Sequence, residues 1–305
     1  MASIFNLVKR PEYVFRPSQI GVRFKRFSKA PVPRETVTLP WGAPVTVHLN
    51  DHVSSEIIWY GIFDKIVPES IARLLDTGET GIDIGANIGQ NCFIMAAVSG
   101  PTGVVEPHPE TFKELEQNHR QWPTDGFAPI RLEQVALGPE ERTARLIDGE
   151  DFGSNRGGAH IDDEGDASSG AHTVQMKRLD DYLLDRPAPC VVKIDVEGAE
   201  LQVLQGGCES LKQRRIRDLI FEDFEHQPNR LTDHLRDAGF TLFALLPRWF
   251  GPSLISLDEK WSAPTSFSYN FLATLDPERA RRRFRPRGWH CLKSGGYWKR
   301  RRPRA

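Results

Sequence analysis

The chain has 305 residues, 39% of them apolar and 27% charged, with four cysteines and a formal net charge of −1. That length supports one good-sized core with appendages. No run approaches the roughly 20 apolar residues of a bilayer span, Lys9, Arg10 and Pro11 interrupt any signal-peptide core, and a cytoplasmic location is expected. Cys92, Cys190, Cys208 and Cys291 form no C-x-x-C pair, which argues against a disulfide frame or a cysteine zinc site and for reduced thiols in a packed interior.

Residues 1–50 are punctuated by proline and mixed in charge, with strand-like runs at 35–39 and 44–48, and read as an N-terminal appendage. In 55–75, Ile57, Ile58, Ile62, Ile66, Ile71 and Leu75 recur at helical spacing, and Pro68 can start a second helix. The chain then alternates: a strand at 81–84, a helix from about 87 to 97, a strand at 104–106, a helix at 110–121 and a strand at 130–136. Such alternation predicts an α/β fold, a parallel sheet with helices on both faces. Residues 148–171, rich in Gly, Ser and Asp, read as a long loop beside the site. Regular structure resumes at 173–176, followed by a buried strand at 189–194, a helix at 199–212, a strand at 217–221, a helix at 229–238, and strands 240–246 and 269–275 as an antiparallel edge hairpin. The domain proper is expected over 51–277.

Residues 278–305 carry twelve Lys or Arg against Glu278 alone, so +11 in this tail offsets −12 elsewhere. Interleaved with Trp289, Tyr297 and Trp298, these charges suit nucleic acid or an anionic surface; a tail that folds back on the acidic body is the other reading.

Gly81-Ile82-Asp83-Ile84-Gly85-Ala86-Asn87-Ile88-Gly89-Gln90-Asn91 ends a buried strand in a glycine-spaced turn that opens a helix, where backbone can approach a ligand closely. A dinucleotide fold would carry G-x-G-x-x-G. Here Asp83 sets a carboxylate beside the turn, which repels a pyrophosphate but suits the cationic sulfonium and amino group of S-adenosylmethionine. Glu106, 23 positions on and before Pro107, stands near the roughly 20 expected of a ribose-binding acid. The rival is an NAD-dependent oxidoreductase of Rossmann type, which shares strand, turn and acid. A binder of nucleic acid or anionic surfaces acting through the tail is a second rival.

Lys193-Ile194-Asp195-Val196-Glu197-Gly198-Ala199-Glu200 puts four ionisable residues at the end of a central strand, where they need pairing or hydrogen bonds. Glu197 and Glu200 also suit helix capping, with Asp195 alone facing the site. With this run, with 82–89, with Val105-Glu106-Pro107-His108-Pro109 and with Val135-Ala136-Leu137-Gly138, the chain resembles the FkbM-type S-adenosylmethionine-dependent methyltransferases from about residue 55 to 275.

The resemblance implies a Rossmann-like seven-stranded class I methyltransferase fold, with helices on both faces of a mostly parallel sheet. It implies O-methylation of a hydroxyl on a sugar, glycolipid or related secondary metabolite. It places Asp83, Gly85, Ala86, Asn87, Gly89 and Asn91 around the methionine part, Glu106 and Pro107 at the ribose, and Gln134, Val135 and Ala136 beside the adenine. Asn155 falls in a glycine-rich loop next to the site. Asp195 is the expected base or acceptor-orienting group, with Glu197 and Glu222 secondary, and His108 and His226 as alternatives. The same acids have the chemistry of a magnesium-sized site, but spacing does not decide it and no metal is assigned. Trp59, Tyr60, Trp249, Phe250 and Trp261 are candidates for stacking on the acceptor.

Overall fold

Short runs of β-branched and apolar residues, buried on both faces, make the middle of the main sheet. The computed structural model describes residues 10–27, 32–123, 125, 127–149, 157–162, 171–225, 227–258, 269–294 and 297–298. Helices α1 (Pro11–Phe15) and α2 (Ser18–Phe27) precede an antiparallel hairpin of β1 (Arg34–Thr38) and β2 (Pro44–His48). Helices α3 (His52–Tyr60) and α4 (Ile66–Leu74) lead into the alternating part, which runs β3 (Gly81–Ile84), α5 (Gln90–Val98), β4 (Thr102–Val105), α6 (Pro109–Arg120) and β5 (Ile130–Glu133). A second sheet follows, from β6 (Ala136–Gly138), β7 (Arg142–Ile147), β8 (His160–Ile161) and β9 (Ala171–Arg178). The chain returns to the main sheet through α7 (Leu179–Leu183), β10 (Val191–Ile194), α8 (Glu200–Gln205), α9 (Cys208–Lys212), β11 (Asp218–Glu222), α10 (Arg230–Asp237), β12 (Thr241–Arg248), β13 (Gly251–Ser256) and β14 (Asn270–Thr274), and α11 (Pro277–Phe284) follows.

Main-sheet order is β13-β12-β14-β11-β10-β3-β4-β5. Strands β5, β4, β3, β10 and β11 pair in parallel, and β14 is antiparallel to both β11 and β12. This is the class I methyltransferase arrangement with one strand added. Chain order reverses between β3 and β10, and a crevice opens there at the C-terminal strand ends.

Three local differences from the expected elements have physical causes. The helix expected from residue 87 starts at Gln90, because Asn87 and Gly89 take φ of +50° and +102°, outside helical space. The run 130–136 divides between two sheets after Glu133. Strands β12 and β14 do pair, but β14 lies inside the sheet and β13 forms the edge. That eighth strand opens Gly251-Pro252 and carries two serines, so it lacks a strand signature; on an edge, the missing N–H of Pro252 is tolerated.

All nine residues of α4 and eight of the nine in α5 are buried, which requires a further layer over these helices. The flanking segments supply it. Trp41, Val45 and Val47 from the hairpin and Trp289, Leu292 and Trp298 from the C-terminal stretch belong to the same cluster as Ile71 and Ile94. Trp41 and Trp298 meet edge to face at 6.2 Å, and burying a side chain of this kind stabilises by about 1.5–3 kcal/mol. The basic stretch is also tied down by charge. Arg279 and Arg283 reach Asp76 at 3.0 and 2.6 Å, and Arg73 donates to the carbonyls of Arg283, Pro286 and Gly288. Arg281, Arg282, Arg285 and Arg287 stay exposed. Among the described residues no helix is long and apolar enough to cross a membrane.

Candidate active site

Register builds the floor of the crevice. Asp83 of β3 pairs in the parallel ladder with Lys193 of β10, so the two side chains share one face. Lys193 Nζ lies 3.3 Å from Asp83 Oδ1, 3.3 Å from Asp195 Oδ2 and 2.5 Å from the Gly85 carbonyl oxygen. Asp83 is wholly buried; loss of hydration pushes its carboxyl up while the ammonium opposes this. Lys193 is held above the ordinary lysine range because the Asp195 and Asp83 charges outweigh burial, itself the largest influence.

The turn above this pair is fixed by close approach. Gly85 has φ of +74°, and a Cβ there would lie 1.9 Å from the Asp195 carbonyl oxygen. Gly85 and Ala86 both donate their N–H to the Val105 carbonyl, at 2.9 and 3.1 Å. Glu106, at the end of β4, accepts the Asn87 N–H on one carboxylate oxygen and the His108 N–H on the other, both at 2.9 Å. Burial raises its pKa to about 7, against these two bonds. Helix α5 begins with no side-chain cap from Gly89, and its Cys92 N–H goes to the buried Asp83 carboxylate, which leaves the Gln90 and Asn91 N–H groups to a ligand. The Gln90 side chain is used elsewhere, since it exchanges two hydrogen bonds with the Phe63 backbone and pins that loop over the crevice.

Acids converge on the opposite wall. Asp195 keeps 37% of its side chain exposed, into the cleft. Glu222, from the end of β11, is pushed well above the carboxyl range by burial and then by the charges of Asp195, Asp64 and Glu197, and it shares a hydrogen bond with Asp195. Asp64, at φ +27° in the loop before α4, accepts a 2.7 Å bond from Asn270 Nδ2 and is raised to about 7, chiefly by burial. Glu200 serves the backbone instead, accepting the N–H groups of Val196 and Gly198 at 3.0 and 3.4 Å.

Glu197, at φ +52°, is raised to about 7 by loss of hydration and then by Asp195 and Glu200. A carboxyl whose folded pKa exceeds its unfolded value of about 4.3 costs stability as pH rises between the two and by a constant amount above. Glu197→Gln is therefore expected to raise the melting temperature at pH 8 and leave it unchanged at pH 4. Equal shifts at both pH values would contradict this origin.

The cleft, about 300 Å³, is walled by Gly85, Asn87, Glu106 and Pro107 on one side and by Asp195, Glu197 and Glu222 on the other. Of the other expected cofactor residues, Asp83, Ala86 and Gly89 are buried beneath the turn. Asn91, the second residue of α5, has a buried Oδ1 with no hydrogen-bond partner among the described residues. Gln134 and Val135 connect the two sheets and Ala136 opens β6, all three outside the cleft wall. Asn155, His226 and Trp261 lie outside the described residues.

The described aromatic candidates sit elsewhere: Trp59 lies under Arg23 and Arg26, Tyr60 packs on Tyr13, and the Trp249 carbonyl accepts from Trp289. Among the described residues, the phenyl rings on the cleft are Phe63 and Phe224. Lys193, Asp64, His52, Phe63 and His160 were not expected at the site. Only Lys193 carried a signal, as the one cation within a run of acids that needs pairing.

The family model "Methyltransferase FkbM domain" matches residues 83–242, more than half of the chain. No curated protein matches its sequence. Among solved structures, the chain is similar to precorrin-6y C5,15-methyltransferase from Geobacter metallireducens, with 15% identity and TM-score 0.38 over 69% of this chain and 87% of that one. It is also similar to a SAM-dependent methyltransferase from Agrobacterium tumefaciens, with 11% identity and TM-score 0.43 over 81% and 71%. With the glycine turn, Glu106 and the Lys193–Glu200 run all inside or beginning the matched span, the chain belongs to the FkbM methyltransferase family, whose methyl donor is S-adenosylmethionine.

Proposed function

We propose that this methyltransferase alkylates a hydroxyl oxygen on a sugar, glycolipid or related secondary metabolite. The observation that carries the reading is the convergence of Asp195, Glu197 and Glu222 on a cleft whose other wall is the glycine turn. The residues present suit the donor: uncapped N–H groups at the start of α5 for its carboxylate, the otherwise unpartnered Asn91 Oδ1 for its amino group, and Glu106 for the ribose diol. Asp83, Gly85, Ala86, Asn87 and Gly89 shape the methionine end, Pro107 backs the ribose, and Gln134, Val135 and Ala136 flank the adenine side. When bound, the donor supplies an electrophilic methyl group on a sulfonium.

The chain's own residues hold the acceptor and take its proton. Asp195 accepts the hydroxyl hydrogen, with Lys193 at 3.3 Å fixing its orientation. Glu222, whose carboxyl is pushed toward its protonated form by burial and by the charge of Asp195, donates to Asp195 rather than competing for the acceptor proton. Phe63 and Phe224 offer ring faces on which a sugar can stack. Holding the reacting groups in line supplies roughly 7–11 kcal/mol, and a positioned base contributes about 10²–10⁴ in rate.

Asp195→Asn is expected to lower turnover by about 10²–10⁴ while donor affinity changes by a few-fold at most, read by calorimetry and by transfer of an isotope-labelled methyl group to glycan and lipid extracts. Normal turnover in this variant would remove Asp195 from the reaction. Label on nitrogen or carbon of the product would overturn the oxygen assignment.

A further inference from the structure

Among the described residues outside the acid wall, one group of side chains brings metal-ligating atoms together. His108 caps α6 at the end of β4, Asp148 follows β7, and His172 lies on β9, whose register sets it opposite Leu146, two residues before Asp148. Asp148 Oδ1 is 2.9 Å from His108 Nε2 and 3.2 Å from His172 Nε2, and the three ligand atoms all lie within 4.8 Å of one another. The two imidazoles meet edge to face at 4.6 Å. For zinc bonds of about 2.0–2.1 Å in a tetrahedron, neighbouring ligand atoms stand roughly 3.3 Å apart, so both measured separations need to open by only a few tenths of an ångström.

We propose that His108, Asp148 and His172 form a zinc site that clamps the second sheet to the main sheet beside the cleft. Two imidazoles and one carboxylate select a borderline-soft transition ion over magnesium or calcium, which favour all-oxygen shells. Three protein ligands leave a fourth position for water. An outer partner is in place. His108 Nδ1 lies 3.3 Å from both the Thr111 N–H nitrogen and Thr111 Oγ1. Without metal Nδ1 accepts the Thr111 N–H as the helix cap; zinc on Nε2 puts the ring proton on Nδ1 and exchanges that cap for a bond donated to Thr111 Oγ1, the kind of bond that orients metal-bound histidines. The zinc-free alternative is a hydrogen-bonded bridge in which both histidines donate to Asp148.

The full chain, stripped with chelator and dialysed, is titrated with zinc against a competing chromophoric chelator, and with cobalt as a visible-spectrum reporter. Expected are one zinc per chain, a cobalt spectrum of four-coordinate intensity, and a zinc-dependent rise in melting temperature. His172→Ala is expected to weaken zinc by about 100-fold or more and to abolish the cobalt bands, and His119→Ala, in the last turn of α6 at the opposite end from His108, is expected to keep both. Asp148→Asn preserves the shape of the side chain and carries the same test if the histidine variant does not fold. Absence of stoichiometric zinc in the unsubstituted chain, or zinc binding unchanged in both ligand variants, overturns the proposal in favour of the hydrogen-bonded bridge. None of these readouts involves methyl transfer.

Discussion

Gly85→Ala is expected to be among the most damaging single substitutions in this protein, combining a large loss of stability with loss of donor binding. The added Cβ would stand 1.9 Å from the Asp195 carbonyl oxygen at φ +74°. The obstacle is backbone, so no rotamer change relieves it. Left-handed strain costs an L-residue about 1–2 kcal/mol, and forced displacement of packed neighbours adds about 1–3 kcal/mol. Relief requires the ends of β3 and β10 to separate, which breaks the 3.2 Å bond from the Asp195 N–H to the Ile84 carbonyl and moves the oxygen that Lys193 Nζ contacts. Against a typical domain stability of about 5–15 kcal/mol, the variant is left marginal.

Gly198→Ala is the control that separates the two causes. Gly198 sits at φ +92° with nothing within 4 Å of the added Cβ, so it should pay only the conformational part, about 1–2 kcal/mol, and still bind donor. Urea unfolding and donor calorimetry on both variants decide it. Equal losses would show that backbone conformation alone, and not the strand-end contact, explains both.

What could be read from the residues in advance was the chemistry that is local in the chain. The β3 turn, Glu106 and the run from Lys193 to Glu200 each declare themselves within a few positions, because strand ends, tight turns and charged clusters impose local requirements. Long-range register left no such trace. Lys193 stood out only as a cation among acids. That its partner is Asp83, some 110 positions away, follows from the β3–β10 ladder. Asp64 was hidden in a loop without periodicity, and it reaches the acid wall only because Gln90 pins Phe63 and Asn270 holds its carboxylate. The second sheet was missed for a related reason: Gln134 and Val135 read as the middle of one strand, while the paired elements end at Glu133 and begin again at Ala136. His108, Asp148 and His172 lie on three separate elements, and no spacing rule joins them.

Lys193→Met is expected to destabilise the protein by about 3–5 kcal/mol, the usual result of removing one partner from a buried ion pair, and to do so in a pH-dependent way. Methionine fills much of the space, so the loss is mainly electrostatic: Asp83, with no exposed surface, keeps its charge cost and loses its counter-ion. The folded-state pKa of Asp83, already raised by burial, then rises further. An acid titrating higher in the folded than in the unfolded chain, where its value is about 3.9, makes stability fall as pH climbs between the two. The unsubstituted chain shows the same fall over a shorter pH span, because the ammonium opposes the rise of Asp83. Its lysine is raised above the ordinary value of about 10.4, so that contribution is fully present below this range and is lost only as pH passes the folded value. Urea unfolding at pH 5, 6.5 and 8 should therefore show a gap between variant and parent that widens with pH. Adding Asp83→Asn to Lys193→Met removes the buried charge and should narrow the gap at pH 8 more than at pH 5. A gap that stays constant with pH, or a double variant no better than the single one at pH 8, would mean that Lys193 acts through packing and its carbonyl contacts rather than by neutralising the floor of the site.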